Sequence, residues 1–188
     1  MIGLFLATVT IIRLTTISNT FDGVAGLAAI DLDTGQRIMF RESEGFPMAS
    51  VVKLPVAIAL LQRVDRGEVS LSDKVTLGLD DFHAGASVIA DEAKGQPITL
   101  TLERLFMHMV RDSDNSALDY VLAHYVSPKE VMKALHGIRV QNIDVTRPEA
   151  MIVGQMLNEG DVIETRARYA ARTKSMSSAD AAFGVEMF

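Results

Sequence analysis

Residues 49–66 read ASVVKLPVAIALLQRVDR, an apolar run with the spacing of a helix that buries one face. The run predicts a helix with a mild kink at Pro55, because proline removes one backbone hydrogen bond. Ser50 and Lys53 stand three residues apart at its start, so their side chains share a face. A serine becomes nucleophilic when a base lies within hydrogen-bond reach, and burial lowers a lysine pKa enough to make it that base. Taken alone, the pair favours an ordinary helix with one serine and one lysine whose stem packs on apolar surface.

Composition limits the classes of function that the chain can have. Its 188 residues suit one domain, and a hydrophobic fraction of 48% supports a real core. The net charge of -6 and the scattered positive residues argue against nucleic-acid binding. The absence of cysteine excludes disulfides, thiolate zinc sites and cysteine nucleophiles. The four histidines lack metal-ligand spacing, so we expect neither a metal nor another cofactor, and His108 is expected to be a packed core residue.

The N-terminal segment, residues 1–20, is apolar at its start, where residues 1–12 read MIGLFLATVTII. This stretch is too short to span a membrane comfortably, so no stable membrane span is expected. Two interpretations stay open. The stretch is either the apolar part of a secretion signal or a buried helix that continues through Arg13–Phe21. Residues 21–188 then form the domain itself.

The region after this segment predicts a hairpin followed by helices. Val24–Leu32 is interpreted as a buried strand and Gln36–Arg41 as its partner, with the turn at Asp33-Thr34-Gly35. Residues 68–97 are interpreted as loops with short elements. A hairpin followed by a helical block predicts an α+β fold, with helices packed on an antiparallel sheet. Further helices are predicted at Thr101–Arg111, Ser116–Tyr125, Pro128–Gly137 behind a Ser127/Glu130 capping box, Glu149–Asn158 and Ala179–Phe188.

Two short motifs follow at a distance. Ser113-Asp114-Asn115 lies on the turn between two predicted helices, and Arg147-Pro148-Glu149 lies in the loop after Gly137. Alone, the first is typical of helix caps and the second of a surface ion pair. In this order after Ser50 and Lys53, they form a specific signal.

With these motifs the sequence resembles the class A serine β-lactamases and the wider penicillin-recognising serine enzymes. The resemblance is strongest over residues 46–53, 111–115 and 147–149. It implies a β-lactamase/D,D-peptidase-like fold and a serine hydrolase that opens β-lactam rings, a source of antibiotic resistance. The substrate would be a small-molecule β-lactam, and the protein would be a periplasmic or secreted monomer.

The resemblance assigns three residues to acylation. Ser50 would attack the lactam carbonyl and become acylated. Lys53 would accept the Ser50 proton or hold the network that does. Ser113 would pass a proton toward the lactam nitrogen. The backbone N–H of Ser50, at a helix N-terminus, suits half of an oxyanion hole.

The resemblance also assigns residues to substrate binding and deacylation. Asn115 would bind the side-chain amide of the substrate, and Glu149 would activate the water that hydrolyses the acyl-enzyme. Arg147 would hold the loop around Glu149 by an ion pair, with Asp161 as one candidate partner. Many family members have asparagine four residues after this glutamate, whereas this chain has Val153.

One family motif, a downstream Lys-Ser/Thr-Gly strand, is missing. Lys174-Ser175-Met176 lacks the glycine and does not qualify. We therefore expect a C-terminally truncated domain without its last sheet strands, whose first strand exposes an apolar edge. Three functions stay open: a β-lactam hydrolase, a slow-deacylating penicillin-binding or D,D-peptidase-like protein, which Val153 favours, and an inactive, non-catalytic fragment of the fold, which the missing strands favour.

Overall fold

The structure, a computed structural model, describes residues 10, 13–20, 22–83, 85–156 and 165–173. The chain divides into two units, Met1–Met48 and Ala49–Phe188. The predicted helix Ala179–Phe188 and the Lys174-Ser175-Met176 sequence lie outside the described residues. No helix in the described ranges has both the length and the apolar character needed to cross a membrane.

The N-terminal unit contains a helical segment and a hairpin. Residues 13–18 are helical with exposed or half-buried side chains, which does not fit the interpretation of that part as a buried helix. Strand β1 (Leu27–Ile30) pairs antiparallel with β2 (Arg37–Phe40), which confirms the predicted hairpin. In its turn, the Asp31 carboxylate accepts the N–H groups of Asp33 and Thr34, each at 2.9 Å.

The prediction that Val24–Leu32 is a buried strand is wrong. All four residues of β1 are exposed, and Leu32 is 93% exposed. In the described residues this sheet has only two strands, and a two-stranded sheet leaves apolar side chains in contact with water. The apolar side chains of Leu27 and Ile30 are both exposed, and the exposed apolar edge expected for the first strand stays a prediction.

The second unit opens with a 3₁₀ turn, Ala49–Val52, that leads into helix α1 (Lys53–Asp65). The single kinked helix predicted for residues 49–66 is therefore wrong in one respect: the change of geometry falls at residues 52–53. Pro55 lies in the first turn of α1, where N–H groups have no helical partner, so its ring removes no helical bond there. The helix ends as predicted, with Gly67 in the left-handed region at φ +70°.

The stretch predicted as loops with short elements contains half of a second hairpin. Strand β3 (Lys74–Leu77) pairs antiparallel with β4 (Ile98–Thr101), and the short helix α2 (Val88–Ala93) lies between them in the chain. Val75, Leu77 and Leu100 point into the core and are buried. Period-2 alternation positions these apolar residues on one face of the hairpin.

Five helices complete the described part of this unit. The capping box of Ser127 and Glu130 is present as predicted, with Pro128 at the first helical position. The sequence analysis did not predict the last of the five. They are α3 (Leu102–Arg111), α4 (Asn115–His124), α5 (Pro128–Gly137), α6 (Glu149–Met156) and α7 (Arg166–Thr173).

The hydrophobic core forms where α1 packs against α3, α4 and α5. The result is a helix-rich α+β architecture with two small antiparallel sheets. The start of α1, the corner between α3 and α4, and the start of α6 all belong to this unit. Its fully buried apolar side chains include Val56, Leu60, Leu102, Leu105, Met109, Leu118, Val121 and Val131.

Candidate active site

Three side chains form a compact triangle at the start of α1. The Lys53 ammonium donates to Ser50 Oγ at 3.1 Å and to Ser113 Oγ at 3.2 Å. The Ser113 hydroxyl donates to Ser50 Oγ at 2.8 Å. Because the 3₁₀ turn leaves Ser50 exposed, its hydroxyl is open to a ligand on one side and bonded to possible proton acceptors on the other.

Lys53 is buried, with only 4% of its surface exposed. Burial lowers the pKa of Lys53, since a charged amine loses water, although the negative charges of Glu149, Asp114 and Asp119 act in the opposite direction. Asn115 Oδ1 accepts the third Lys53 hydrogen bond, at 2.7 Å. The amine is thus held by three oxygens in an environment that favours its neutral form relative to an exposed lysine.

Ser113 occupies a backbone position that normally takes glycine. It follows the end of α3 with φ +58°, in the left-handed region. The N–H groups of its neighbours Asp112 and Asp114 both donate to the carbonyl of His108, at 3.2 and 3.1 Å. A serine in this strained position indicates that its hydroxyl is needed there. Ala49, directly before Ser50, also has a positive φ, at +46°.

The corner that carries Ser113 and Asn115 is held by Asp114, which is fully buried. As N-cap of α4, its carboxylate accepts the N–H of Ala117 at 2.9 Å. The same carboxylate accepts the Ser87 hydroxyl, at 3.0 Å to either oxygen, and the N–H of Ile89 at 2.9 Å, which ties the start of α2 to this corner. One side chain therefore fixes two helix starts next to the triangle.

Glu149 is the first residue of α6 and is half-buried. Burial raises the pKa of Glu149, a shift that the positive charge of Lys53 opposes and the negative charge of Asp119 reinforces. Its backbone N–H donates to Asp119 Oδ1 at 2.7 Å, and the next N–H, of Ala150, donates to Asp119 Oδ2 at 2.8 Å. A buried carboxylate on α4 thus caps the helix that begins with Glu149.

Asp119 has a further neighbour in His83. Its Oδ2 lies 2.8 Å from His83 Nδ1, and the two side chains are 1% and 12% exposed. The buried Nδ1 makes no regular hydrogen bond, so the contact is a close charge–dipole pair. The backbone N–H of His83 donates to Ser116 Oγ at 3.0 Å, which fixes this segment against α4.

The structure brings four of the six predicted site residues into direct contact: Ser50, Lys53, Ser113 and Asn115. Glu149 interacts electrostatically with Lys53, without a hydrogen bond to it. Arg147 is exposed and donates to the Gln155 side chain on α6, while Asp161 lies outside the described residues. His108 is buried and bonded to Asp112, as expected of a core histidine.

Sequence reasoning missed the roles of Asp114, Asp119 and His83. Asp119 had a signal, because it is an acidic residue inside the apolar helical run Ala117–Leu122 and such a residue requires a partner when buried. Its partners are backbone groups thirty residues away in the chain, which no local pattern reveals.

An exposed serine, a buried lysine and a second serine lie within 3.2 Å of one another, an arrangement typical of serine enzymes whose nucleophile is activated by a lysine. Comparison with known proteins agrees with this class. The family model described as "Beta-lactamase enzyme family" matches residues 11–186. The chain therefore belongs to the β-lactamase enzyme family.

Individual relatives support the same assignment. A β-lactamase of Rhodobacter capsulatus is 31% identical over 76% of this chain and 54% of its own length. Over 66% of this chain and 42% of that protein, β-lactamase VEB-1 of Pseudomonas aeruginosa is 28% identical. The solved structure of an ancestral class A β-lactamase is 27% identical, with a TM-score of 0.66 over 94% of this chain and 69% of that one. The chain spans about half the length of the curated relatives it matches.

Proposed function

We propose that the protein is a serine hydrolase that opens β-lactam rings through an acyl-enzyme on Ser50. The observation that supports this most is the contact of Ser50 Oγ with both the buried Lys53 amine and the Ser113 hydroxyl. The family assignment supports the same chemistry. Ser50 is the nucleophile, and Lys53, Ser113, Asn115 and Glu149 assist it.

In the acylation step, Lys53 in its neutral form takes the Ser50 proton as Oγ attacks the lactam carbonyl. The lowered pKa of Lys53 makes the neutral amine accessible. Ser113 bonds both groups, so it can carry the proton from Lys53 to the lactam nitrogen as the C–N bond breaks. The Ser50 N–H lies in the 3₁₀ turn and supplies one oxyanion contact.

In the deacylation step, Glu149 removes a proton from a water molecule that attacks the ester carbonyl. The raised pKa of Glu149 makes its carboxylate a stronger base than an exposed one. The bond between the acyl carbon and Ser50 Oγ then breaks, the proton held by Glu149 returns to Oγ, and the hydrolysed product leaves. Asp119 accepts the backbone N–H of Glu149 and so fixes the position of the backbone that carries this base.

Asn115 suits substrate binding because its two amide atoms have different neighbours. Oδ1 accepts from Lys53, which orients the amide and directs the NH₂ group away from the amine. That NH₂ group can donate to an amide carbonyl on the substrate. Arg147, through Gln155 on α6, supports the helix that begins with Glu149.

The proposal also covers the location and the biological role of the protein. We propose a periplasmic or secreted protein that confers resistance to β-lactam antibiotics and acts as a monomer on these small molecules. The family assignment supports this setting.

A slow-deacylating penicillin-binding protein is the second candidate. Val153 favours it, because the position four residues after Glu149 carries no hydrogen-bonding group to hold a water molecule. Such a protein would form the same Ser50 ester and keep it.

A turnover assay with a chromogenic cephalosporin, run beside labelling with a fluorescent penicillin, separates these functions. Catalytic colour change in the full chain, absent in Ser50→Ala, supports the hydrolase. Stable labelling without turnover, again absent in Ser50→Ala, supports the second candidate. If the full chain shows neither signal while its circular dichroism is helical, both functions are contradicted and the chain is a non-catalytic fragment.

A further inference from the structure

We propose that His83 is a positioning residue for Glu149 and acts through Asp119. This inference rests on the proposed function for its kinetic consequence, but its structural consequence can be measured without any substrate.

The first step concerns the hydrogen bonds that the Asp119 carboxylate accepts. Its two oxygens already accept the N–H groups of Glu149 and Ala150, and its side chain is almost fully buried. A buried carboxylate with only these two donors keeps rotational freedom about its side-chain bonds. His83 Nδ1, 2.8 Å from Oδ2, is a third contact that limits this freedom.

The second step concerns the proton between the two groups. A ring nitrogen without hydrogen would repel a carboxylate oxygen at 2.8 Å, so this contact requires a proton on Nδ1. The buried Nδ1 has no regular hydrogen bond, and Oδ2 of Asp119 is the acceptor beside it. His83 is therefore a donor whose partner is Asp119.

The third step concerns the surrounding charges. Asp81 and Tyr120 line the same cavity, of about 290 Å³, as His83 and Asp119. Glu149 and Lys53 both interact electrostatically with Asp119. The N–H of Arg166 donates to the carbonyl of Phe82, next to His83, while the Arg166 side chain pairs with Asp91.

These neighbours give His83 a specific effect. Among them only Lys53 carries a positive charge toward Asp119, and it also bonds Ser50. The proton on His83 lets Asp119 keep its orientation without drawing Lys53 away from the serines. Loss of that proton donor loosens the start of α6, and the Glu149 carboxylate moves with its backbone.

Two substitutions separate the effect of the His83 N–H donor from the effect of the volume that its ring fills. His83→Leu fills a similar volume and removes the donor. His83→Asn restores a neutral N–H at about the position of Nδ1. His136→Leu is the matched control, because His136 is exposed on α5.

The first measurement is amide hydrogen exchange by NMR in the full chain. We expect exchange at Glu149 and Ala150 to rise about tenfold in His83→Leu, since one polar contact to a buried carboxylate changes an opening equilibrium by roughly that factor. Exchange at Leu60, in the core of α1, should stay unchanged. His83→Asn should return Glu149 and Ala150 to within about threefold of the wild type, and His136→Leu should change neither.

The second measurement is the split between acylation and deacylation rates of a penicillin. His83→Leu should slow deacylation about tenfold and leave acylation nearly unchanged, because only the glutamate is displaced.

The outcomes distinguish this inference from the proposed function. Unchanged exchange at Glu149 and Ala150 in His83→Leu overturns the inference, whatever the kinetics show. An equal rise of exchange at Leu60 also overturns the inference, because the effect is then global. The inference is likewise overturned if His83→Asn does not return exchange at Glu149 and Ala150 toward the wild-type rate. The expected exchange changes in a chain that no penicillin acylates would support the inference and contradict the proposed function.

Discussion

The N-terminal hairpin and the helical unit place their side chains in opposite ways. In the hairpin, the apolar residues Leu27 and Ile30 are exposed. In the helical unit, the charged residues Lys53, Asp114 and Asp119 are buried. Each of these three side chains has several hydrogen-bond partners, all from the same unit. The comparison shows that the site is organised by a region with its own core, whose polar groups are buried because they are paired.

The largest predicted effect comes from comparing two aspartates that accept backbone N–H groups, Asp114 in the helical unit and Asp31 in the hairpin. Asp114→Ala leaves the Ser87 hydroxyl and the N–H groups of Ile89 and Ala117 without their acceptor inside the protein. We expect a loss of about 3–5 kcal/mol in the free energy of unfolding, measured by urea denaturation.

Asp31→Ala is the matched control. Its partners, the N–H groups of Asp33 and Thr34, are exposed and can bond water instead. The urea midpoint should stay within error of the wild type. Equal losses in the two variants would show that burial does not distinguish the two regions.

Leucine truncation tests the apolar side of the comparison. Leu60→Ala opens a cavity between α1 and its neighbours and should cost about 2–5 kcal/mol in the free energy of unfolding. Leu27→Ala removes a side chain that is 40% exposed, and should cost no more than about 0.5 kcal/mol. Thermal or urea denaturation of both variants provides the check. A loss at Leu27 that approaches the loss at Leu60 would mean that the hairpin is covered in solution.

The predictability of the fold also differs between local and distant features. The Ser127/Glu130 capping box, the hairpin turn and the Gly67 helix end were predicted because each depends on residues a few positions apart. The exposure of β1 was not predicted, because the burial of a strand depends on which other elements cover it. The 3₁₀ turn before Lys53 was also missed, because helical spacing does not distinguish the two helix types at a terminus.

The candidate site shows the same division. The motif positions Ser50, Lys53, Ser113 and Asn115 were predicted from the sequence, and they touch in the structure. The caps by Asp114 and Asp119 join segments that are far apart in the chain. The sequence signals that such acidic residues need partners, but the identity of the distant partners follows from tertiary packing.

The smallest predicted effect concerns Glu149, whose burial destabilises its ionised form. Because its pKa is raised, the folded state holds the proton more tightly than the unfolded state. The stability that this group contributes is fully present below its unfolded pKa and is lost as pH rises through its folded pKa. At neutral pH, Glu149→Gln should therefore raise the melting temperature by about 1–3 °C.

Glu130→Gln provides a control of opposite sign. Hydrogen bonds from the backbone and side chain of Ser127 lower the pKa of Glu130, so its ionised form supports folding. Its stabilisation is present above the unfolded pKa and declines as pH falls through the folded value. This variant should melt slightly lower than the wild type at neutral pH. A fall in melting temperature for both variants would contradict the assignment of Glu149 as a carboxylate strained by burial.

The most direct test of the account is the mass of the protein after incubation with benzylpenicillin, measured on full chains that carry Glu149→Gln. The account predicts one adduct of the whole penicillin mass per chain, located by peptide mapping on Ser50 and absent when Ser50→Ala is added. A folded Glu149→Gln chain without an adduct, or with an adduct on another peptide, would contradict the claim that Lys53 and Ser113 activate Ser50.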